Sequence, residues 1–319
     1  MQKVAIIGAG LGGLGASFFL TMLGCRVTVF DDQGIGGGAS GIAAGLVHPY
    51  VGENCKRSLW AREAFLETQK LAQSIPGAIL EEGVLRIASP TQEPILMRHA
   101  EEFQDITPLG GGVFRIDAAL VIDTKRYLQG LYECCEALGA IFVKTRITNL
   151  EELSTFDQVL VAVGHEMGFF FPEKQSLISR VKGQLFDVRL EKEEKTQIAK
   201  GYLVKGKGDL LYHFGATYER DFIGIEPDEK KALSLLKKET FASLERATFL
   251  SIKSGVRLVR RGSYVPYIER INDKTWWIGA FGSRGLLYHA FLGRKLAEAM
   301  VNSDISLIPD LCSVVGRAR

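Results

Sequence analysis

Lys3-Val4-Ala5-Ile6-Ile7-Gly8-Ala9-Gly10-Leu11-Gly12-Gly13 begins the stretch that decides the fold, and Arg26-Val27-Thr28-Val29-Phe30-Asp31-Asp32 ends it. Lys3 to Ile7 is too short for a buried helix and reads as a buried parallel strand. Leu14 to Leu23 carries a helix, and a second β-rich run ends in two acids. Gly8, Gly10 and Gly13 stand at GxGxxG spacing inside this βαβ unit. The first allows the tight turn, the second lets a diphosphate approach the backbone, and the third lets helix and strand pack closely. Free N–H groups at the helix start, Leu11 among them, face the phosphates. Asp31 and Asp32 stand where an acid accepts from ribose hydroxyls.

The chain has 319 residues, 46% hydrophobic and 24% charged, enough for a large core and two domains. A net charge of +2 demands no polyanionic partner. The five cysteines show no CxxC spacing, which fits reduced thiols and a cytoplasmic location. No Cys/His spacing fits a metal site. The glycines in the first 23 residues fit a nucleotide loop better than a signal core, and no apolar run is long enough to span a membrane.

Gln33 to Gly41 is a second glycine-dense loop, expected to form neither helix nor strand. A helix is expected over residues 56–75 with Leu59, Phe65, Leu66 and Leu71 on its apolar face, and another over 91–103. Gly83 to Ala88 and Val113 to Ile116 read as strands. Asp123 or Thr124 caps a helix to Leu138, followed by a strand at 140–145 and a buried strand ending at Gly164. From 180 onward short strands (184–189, 201–204, 210–214, 222–225) indicate a largely antiparallel sheet. An amphipathic helix is expected over 227–246, with strands near 255–261, 264–270 and 275–278 and a last helix over 286–301. The fold class is therefore α/β. A Rossmann-like domain with a parallel sheet (1–80, 139–180, 272–319) is interleaved with an α+β substrate domain on a largely antiparallel sheet (81–138, 181–271).

Five stretches in order resemble the D-amino-acid oxidase superfamily of FAD-dependent oxidoreductases. They are Gly8-Ala9-Gly10, Gly38-Ala39-Ser40-Gly41, Val161-Ala162-Val163-Gly164, Gly255-Val256-Arg257 and Gly279 to Gly285. Within it, Gly45-Leu46-Val47-His48-Pro49, Gly215 to Asp221 and Gly282-Ser283-Arg284-Gly285-Leu286 look closest to the flavin domain of the bifunctional bacterial enzymes that modify the wobble uridine of tRNA. The methyltransferase half of those enzymes has no room in 319 residues.

The resemblance implies FAD rather than NAD. It also implies hydride transfer from a carbon bearing an amine, in an amine or amino acid, to flavin N5. In the family, the loop at 282–285 precedes a helix whose N-terminus points at the flavin pyrimidine and stabilises negative charge there; Arg284 adds to it. With no cysteine between Cys135 and Cys312, non-covalent FAD is expected. An amino-acid substrate needs a carboxylate clamp, best made by a guanidinium. Arg261 comes first and Arg257 second. Four apart in a strand region, they are expected on one face, with Arg260 on the other. Tyr218 and Tyr264 are candidates for orienting a substrate, and His48 for contacting flavin or substrate. Alternative readings are oxidative removal of a carboxymethyl group on tRNA, with tRNA as partner, a non-catalytic flavin-binding protein, and an NAD-dependent dehydrogenase.

Overall fold

A computed structural model describes residues 1–236 and 241–313. In chain order the elements are β1 (Lys3–Ile7), α1 (Leu11–Met22), β2 (Arg26–Phe30), α2 (Ala39–Ile42), β3 (Leu46–Val47), α3 (Ala61–Gln73), β4 (Ile79–Ile87), α4 (Glu93–Glu102), β5 (Ile106–Gly110), β6 (Val113–Ile122), α5 (Thr124–Ala137) and β7 (Ile141–Val143). Then come β8 (Gln158–Val161), α6 (Met167–Phe170), β9 (Ile178–Arg189), β10 (Gln197–Ile198), β11 (Tyr202–Lys205), β12 (Leu211–Gly215), α7 (Glu229–Leu233), β13 (Thr248–Arg260), β14 (Tyr267–Arg270), β15 (Thr275–Gly279) and α8 (Gly285–Asn302).

The chain divides into two compact units. The first takes Met1–Gly41, Lys125–Val181 and the chain from Val256; the second takes Ile42–Thr124 and Lys182–Gly255. These boundaries differ from the expected domain segments. Residues 42–80 group with the second unit, while 125–138 and 256–271 group with the first.

The first unit is built on a sheet of order β14-β15-β8-β1-β2-β7. Every pairing in it is parallel except β14 with β15. Val4 to Ile7 and all of β8 are buried, as strands covered on both faces must be. One face packs Ala5, Ile7, Val159, Val161 and Trp277 into a cluster with Met167 and Phe171. α1 and α8 touch through glycines. A Cβ on Gly293 would lie 2.6 Å from the Gly15 carbonyl carbon, and one on Gly15 would lie 2.6 Å from the His289 oxygen. Leu11 neighbours Gly285 as Gly15 neighbours His289, so the two helices run side by side in the same direction.

The second unit holds a sheet of order β13-β9-β12-β11-β10-β4-β6-β3, with β5 also on β6. Antiparallel pairs dominate it, β10 with β4 being parallel. Val84, Phe114, Ile116 and Ile198 cluster with Leu96 of α4; Phe186, Val188, Tyr212 and Phe214 cluster with Ala232 of α7.

Several local expectations change. Ala39–Ile42 forms a short helix inside the glycine-dense loop. Leu59 and Leu66 are exposed, and α3 buries Ala61, Ala64, Phe65, Thr68, Leu71 and Ala72 instead. β5 and β10 are additional strands, and residues 222–225 form none. The helix expected over 227–246 is only Glu229–Leu233 plus a 3-10 turn at Ala242–Arg246. Residues 237–240 of that span lie outside the described residues.

Candidate cofactor and substrate site

The glycine loop after β1 is packed against backbone at Gly8 and Gly13. Gly8 has φ +107°, and a Cβ there would stand 2.5 Å from the Ala162 oxygen. A Cβ on Gly13 would stand 1.9 Å from the Gly8 oxygen. No other residue type fits either place. The second glycine-dense loop lies directly on the first. Gly36 N–H donates to the Ala9 carbonyl at 2.9 Å, Leu11 N–H donates to Ser40 Oγ at 3.1 Å, and a Cβ on Gly10 would meet that Oγ at 2.9 Å. Gly10 is the N-cap of α1 and brings no side-chain cap. The first-turn N–H groups of Gly12 and Gly13 therefore lack intrahelical acceptors, at the positive end of the helix dipole.

Asp31, expected to face ribose, is occupied by backbone. Its Oδ2 accepts from Ala9 N–H at 2.8 Å, and its Oδ1 accepts from Gln33 N–H at 2.8 Å and Gly34 N–H at 3.0 Å. One carboxylate thus ties both glycine loops to the end of β2. Asp32 points instead to Arg146, whose NH1 lies 2.9 Å from Asp32 Oδ2. Sequence reading missed Arg146, since nothing local marks a partner 114 positions away.

The N-terminus of α8 opens at the same end as that of α1. Gly282 has φ +56°, Ser283 is exposed, and a Cβ on Gly285 would come 3.1 Å from Leu11 Cδ1. Arg284 is buried, with its guanidinium 4.6 Å above the Tyr264 ring, and burial pushes its pKa below the ordinary arginine range. Leu286 is buried behind it.

The two candidate arginines differ. β13 ends at Arg260, so Arg261 lies in the turn beyond it and the same-face argument does not reach it. Arg261 Nε donates to the Ile178 carbonyl at 2.8 Å, and its N–H donates to the Leu177 carbonyl at 3.0 Å. Arg260 NH1 donates to the Leu311 carbonyl at 2.6 Å, and its guanidinium lies 4.1 Å from the Tyr267 ring centroid. Arg257 lies within β13 and is partly buried, and its side chain makes no hydrogen bond or ion pair among the described residues.

Tyr264 is exposed apart from its contact with Arg284. In the second unit, His48 is buried just after β3, and Tyr218 is exposed beneath Arg220, whose guanidinium is 5.7 Å from its ring. Gly45 belongs to that unit too. A Cβ there would stand 1.9 Å from the Ile122 oxygen, so the close approach of β3 to β6 demands this glycine. Gly38 and Ala39 lie at the start of α2, and Gly164 follows β8 with φ +56° and open space around it.

A glycine loop joining the central strand of a parallel sheet to a bare helix N-terminus is the construction of the dinucleotide-binding class of α/β proteins. The chain belongs to the FAD dependent oxidoreductase (DAO) family, whose model matches residues 3–299. A comparison with curated proteins gives no match. Among solved structures the chain is similar to glycine oxidase from Geobacillus kaustophilus, with TM-score 0.80, 19% identity and 95% of each chain covered. It is likewise similar to iminodiacetate oxidase from Chelativorans sp. BNC1, with TM-score 0.80, 20% identity and 97% of this chain and 98% of that one covered. L-proline dehydrogenase from P. horikoshii has TM-score 0.79, 14% identity and coverage of 96% and 95%. At such identities the likeness is one of fold. The residues present fit the diphosphate of FAD, because the first turn of α1 begins at Gly10 without a side-chain cap and leaves the N–H groups of Gly12 and Gly13 without intrahelical acceptors.

Proposed function

We propose that the protein oxidises the C–N bond of a small amino acid or amine with non-covalent FAD. The observation that carries this reading is Arg257, a partly buried guanidinium on β13 that pairs with no carboxylate among the described residues. FAD supplies the hydride acceptor at flavin N5. The first turn of α1 would hold its diphosphate, and the start of α8 would supply a second helix dipole to the flavin. Arg284, buried over Tyr264, would add a positive charge to that helix start. Arg257 binds the substrate carboxylate through paired N–H groups and so orients the Cα–H bond. Arg261 is a turn anchor in this reading, because Ile178 already holds its Nε. Tyr264, whose ring meets Arg284, orients the substrate. The substrate leaves as an imine, which water hydrolyses.

Anaerobic mixing with glycine, iminodiacetate and proline tests the reading. Bleaching of the flavin absorbance by one of them is the expected result; none bleaching it overturns the reading in favour of a flavin-binding protein without turnover. Arg257→Met is expected to raise KM for the amino acid by about 10- to 100-fold, the worth of a charge-assisted bidentate contact. It should spare a simple amine. The finer tRNA reading rests on sequence phrases, and a net charge of +2 adds no polyanion attraction to it. tRNA affinity that does not fall with salt would remove it.

A further inference from the structure

Near the end of β4, in the second unit, Arg86 is 3% exposed. The strand runs regularly from Val84 to Ile87, so Arg86 shares a face with Val84, which packs with Ile116 and Leu96. A guanidinium keeps its charge at any working pH, and burying it is costly unless an opposite charge compensates it. No carboxylate pairs with Arg86 among the described residues. NH2 lies 3.3 Å from Cys55 Sγ, and Nε is buried without a partner. The thiol supplies no charge, because Cys55 Sγ donates its hydrogen to the Glu53 carbonyl at 3.7 Å. Arg57, in the same unit, shows what such a guanidinium edge can hold. Its Nε and NH2 donate together to Asp105 Oδ2 at 2.9 and 2.7 Å. The matching nitrogens of Arg86 meet only the sulfur.

We infer that the Nε–NH2 edge of Arg86 is a binding site for a small monovalent anion of the halide class, seated beside the Cys55 thiol. The inference does not depend on the FAD reading. One buried cation is balanced by one negative charge, and a dianion would leave an excess charge in an apolar cluster. The burial of Arg86 suits a small ion rather than a bulky one. The site also has a structural consequence. Cys55 belongs to the segment 49–60, which side chains of α4 and its N-cap already pin from outside. Gln92 Nε2 donates to the Glu53 carbonyl at 2.8 Å, and His99 Nε2 donates to the Cys55 carbonyl at 3.1 Å. An anion at Arg86 would tie the same segment to β4 from within, as Asp105 ties Arg57.

The test uses the whole chain, with thermal unfolding as readout. Sodium chloride or bromide is compared at constant ionic strength with sodium gluconate, whose anion is too bulky for the site. The parent midpoint should rise with chloride and level off, by about 2–5 °C at roughly ten times the dissociation constant. In gluconate alone Arg86→Met should melt at or above the parent, and chloride should then add nothing. Cys55→Ser should keep the chloride response, because the sulfur is not the countercharge. Equal responses in the parent and Arg86→Met are a general salt effect and overturn the site. No chloride response in the parent also overturns it; thiolate absorbance that Cys55→Ser removes would then identify the thiolate as the countercharge. Crystals of the parent grown in bromide free the test from the folding of any variant. An anomalous peak within about 3.5 Å of Arg86 Nε is expected, and no peak there overturns the inference.

Discussion

Tyr127 Oη and His289 Nε2 lie 2.6 Å apart in the buried interior of the first unit, joining α5 to α8 across 162 positions. His289 Nδ1 is 3.0 Å from the Leu286 carbonyl, so it carries the proton and donates. Nε2 is then the acceptor, and the Tyr127 hydroxyl donates to it. Burial holds the His289 pKa down at about 4 against an ordinary 6.5.

This pair makes stability depend on pH in a definite direction. Above pH 6.5 both folded and unfolded chains carry a neutral imidazole, and the contribution is fully present. As pH falls from 6.5 toward 4, the unfolded chain takes up a proton that the folded one refuses, and stability is lost. The total is on the order of 3 kcal/mol. Urea unfolding at pH 7 and pH 4.5 should show the loss, and His289→Gln should shrink it. Equal pH sensitivity in the two proteins would refute the assignment. Tyr127→Phe, which strands the buried Nε2, should cost about 1–3 kcal/mol at pH 7.

Gly293→Ala should destabilise the first unit by about 1–3 kcal/mol, because its Cβ would meet the Gly15 backbone at 2.6 Å, where no flexible side chain can yield. Gly38→Ala is the control. Its Cβ meets nothing within 4 Å and its φ is unexceptional, so chemical denaturation should register a change within about 0.5 kcal/mol.

Asp31→Asn leaves one oxygen to serve three N–H donors. It should lower stability by roughly 1.5–3 kcal/mol, in the range of a lost charge-assisted bond, and weaken FAD binding at the same time. Thermal unfolding of the flavin-free protein measures the stability loss apart from the effect on the cofactor.

In the second unit, Arg86 is 3% exposed, with NH2 3.3 Å from Cys55 Sγ and no partner for its Nε among the described residues. Burial pushes its pKa down. A guanidinium so poorly compensated adds little, and Arg86→Met should be neutral or stabilising by up to about 4 kcal/mol. A clear loss in a melting experiment would show that the thiol contact matters more than the desolvation.

Legibility from sequence followed the range of the interactions. The βαβ unit was readable because its strand, glycines and helix lie within 32 contiguous residues and each constrains the next. β8 was readable as an unbroken apolar run. The helix over 227–246 misled, because Leu233 and Leu236 have helical spacing yet stay largely exposed. β10, two residues long, exists only through pairing with β4 and β11 and leaves no periodicity. In the site, the glycines were legible because backbone geometry demands them. The separate duties of Asp31 and Asp32, and of Arg257 and Arg261, depend on which distant group each side chain meets.

The segmentation of the first unit bears on how the chain is made. β1 pairs with β8, and β8 with β15, so the parallel sheet joins residues near 4, near 160 and near 276. During synthesis the glycine loop emerges long before β15 and waits for it before its sheet is complete. Non-local pairing of this kind folds slowly. Nascent chains stalled before residue 275 should therefore expose β1 and β8 to chaperones, and FAD should be captured only late in translation.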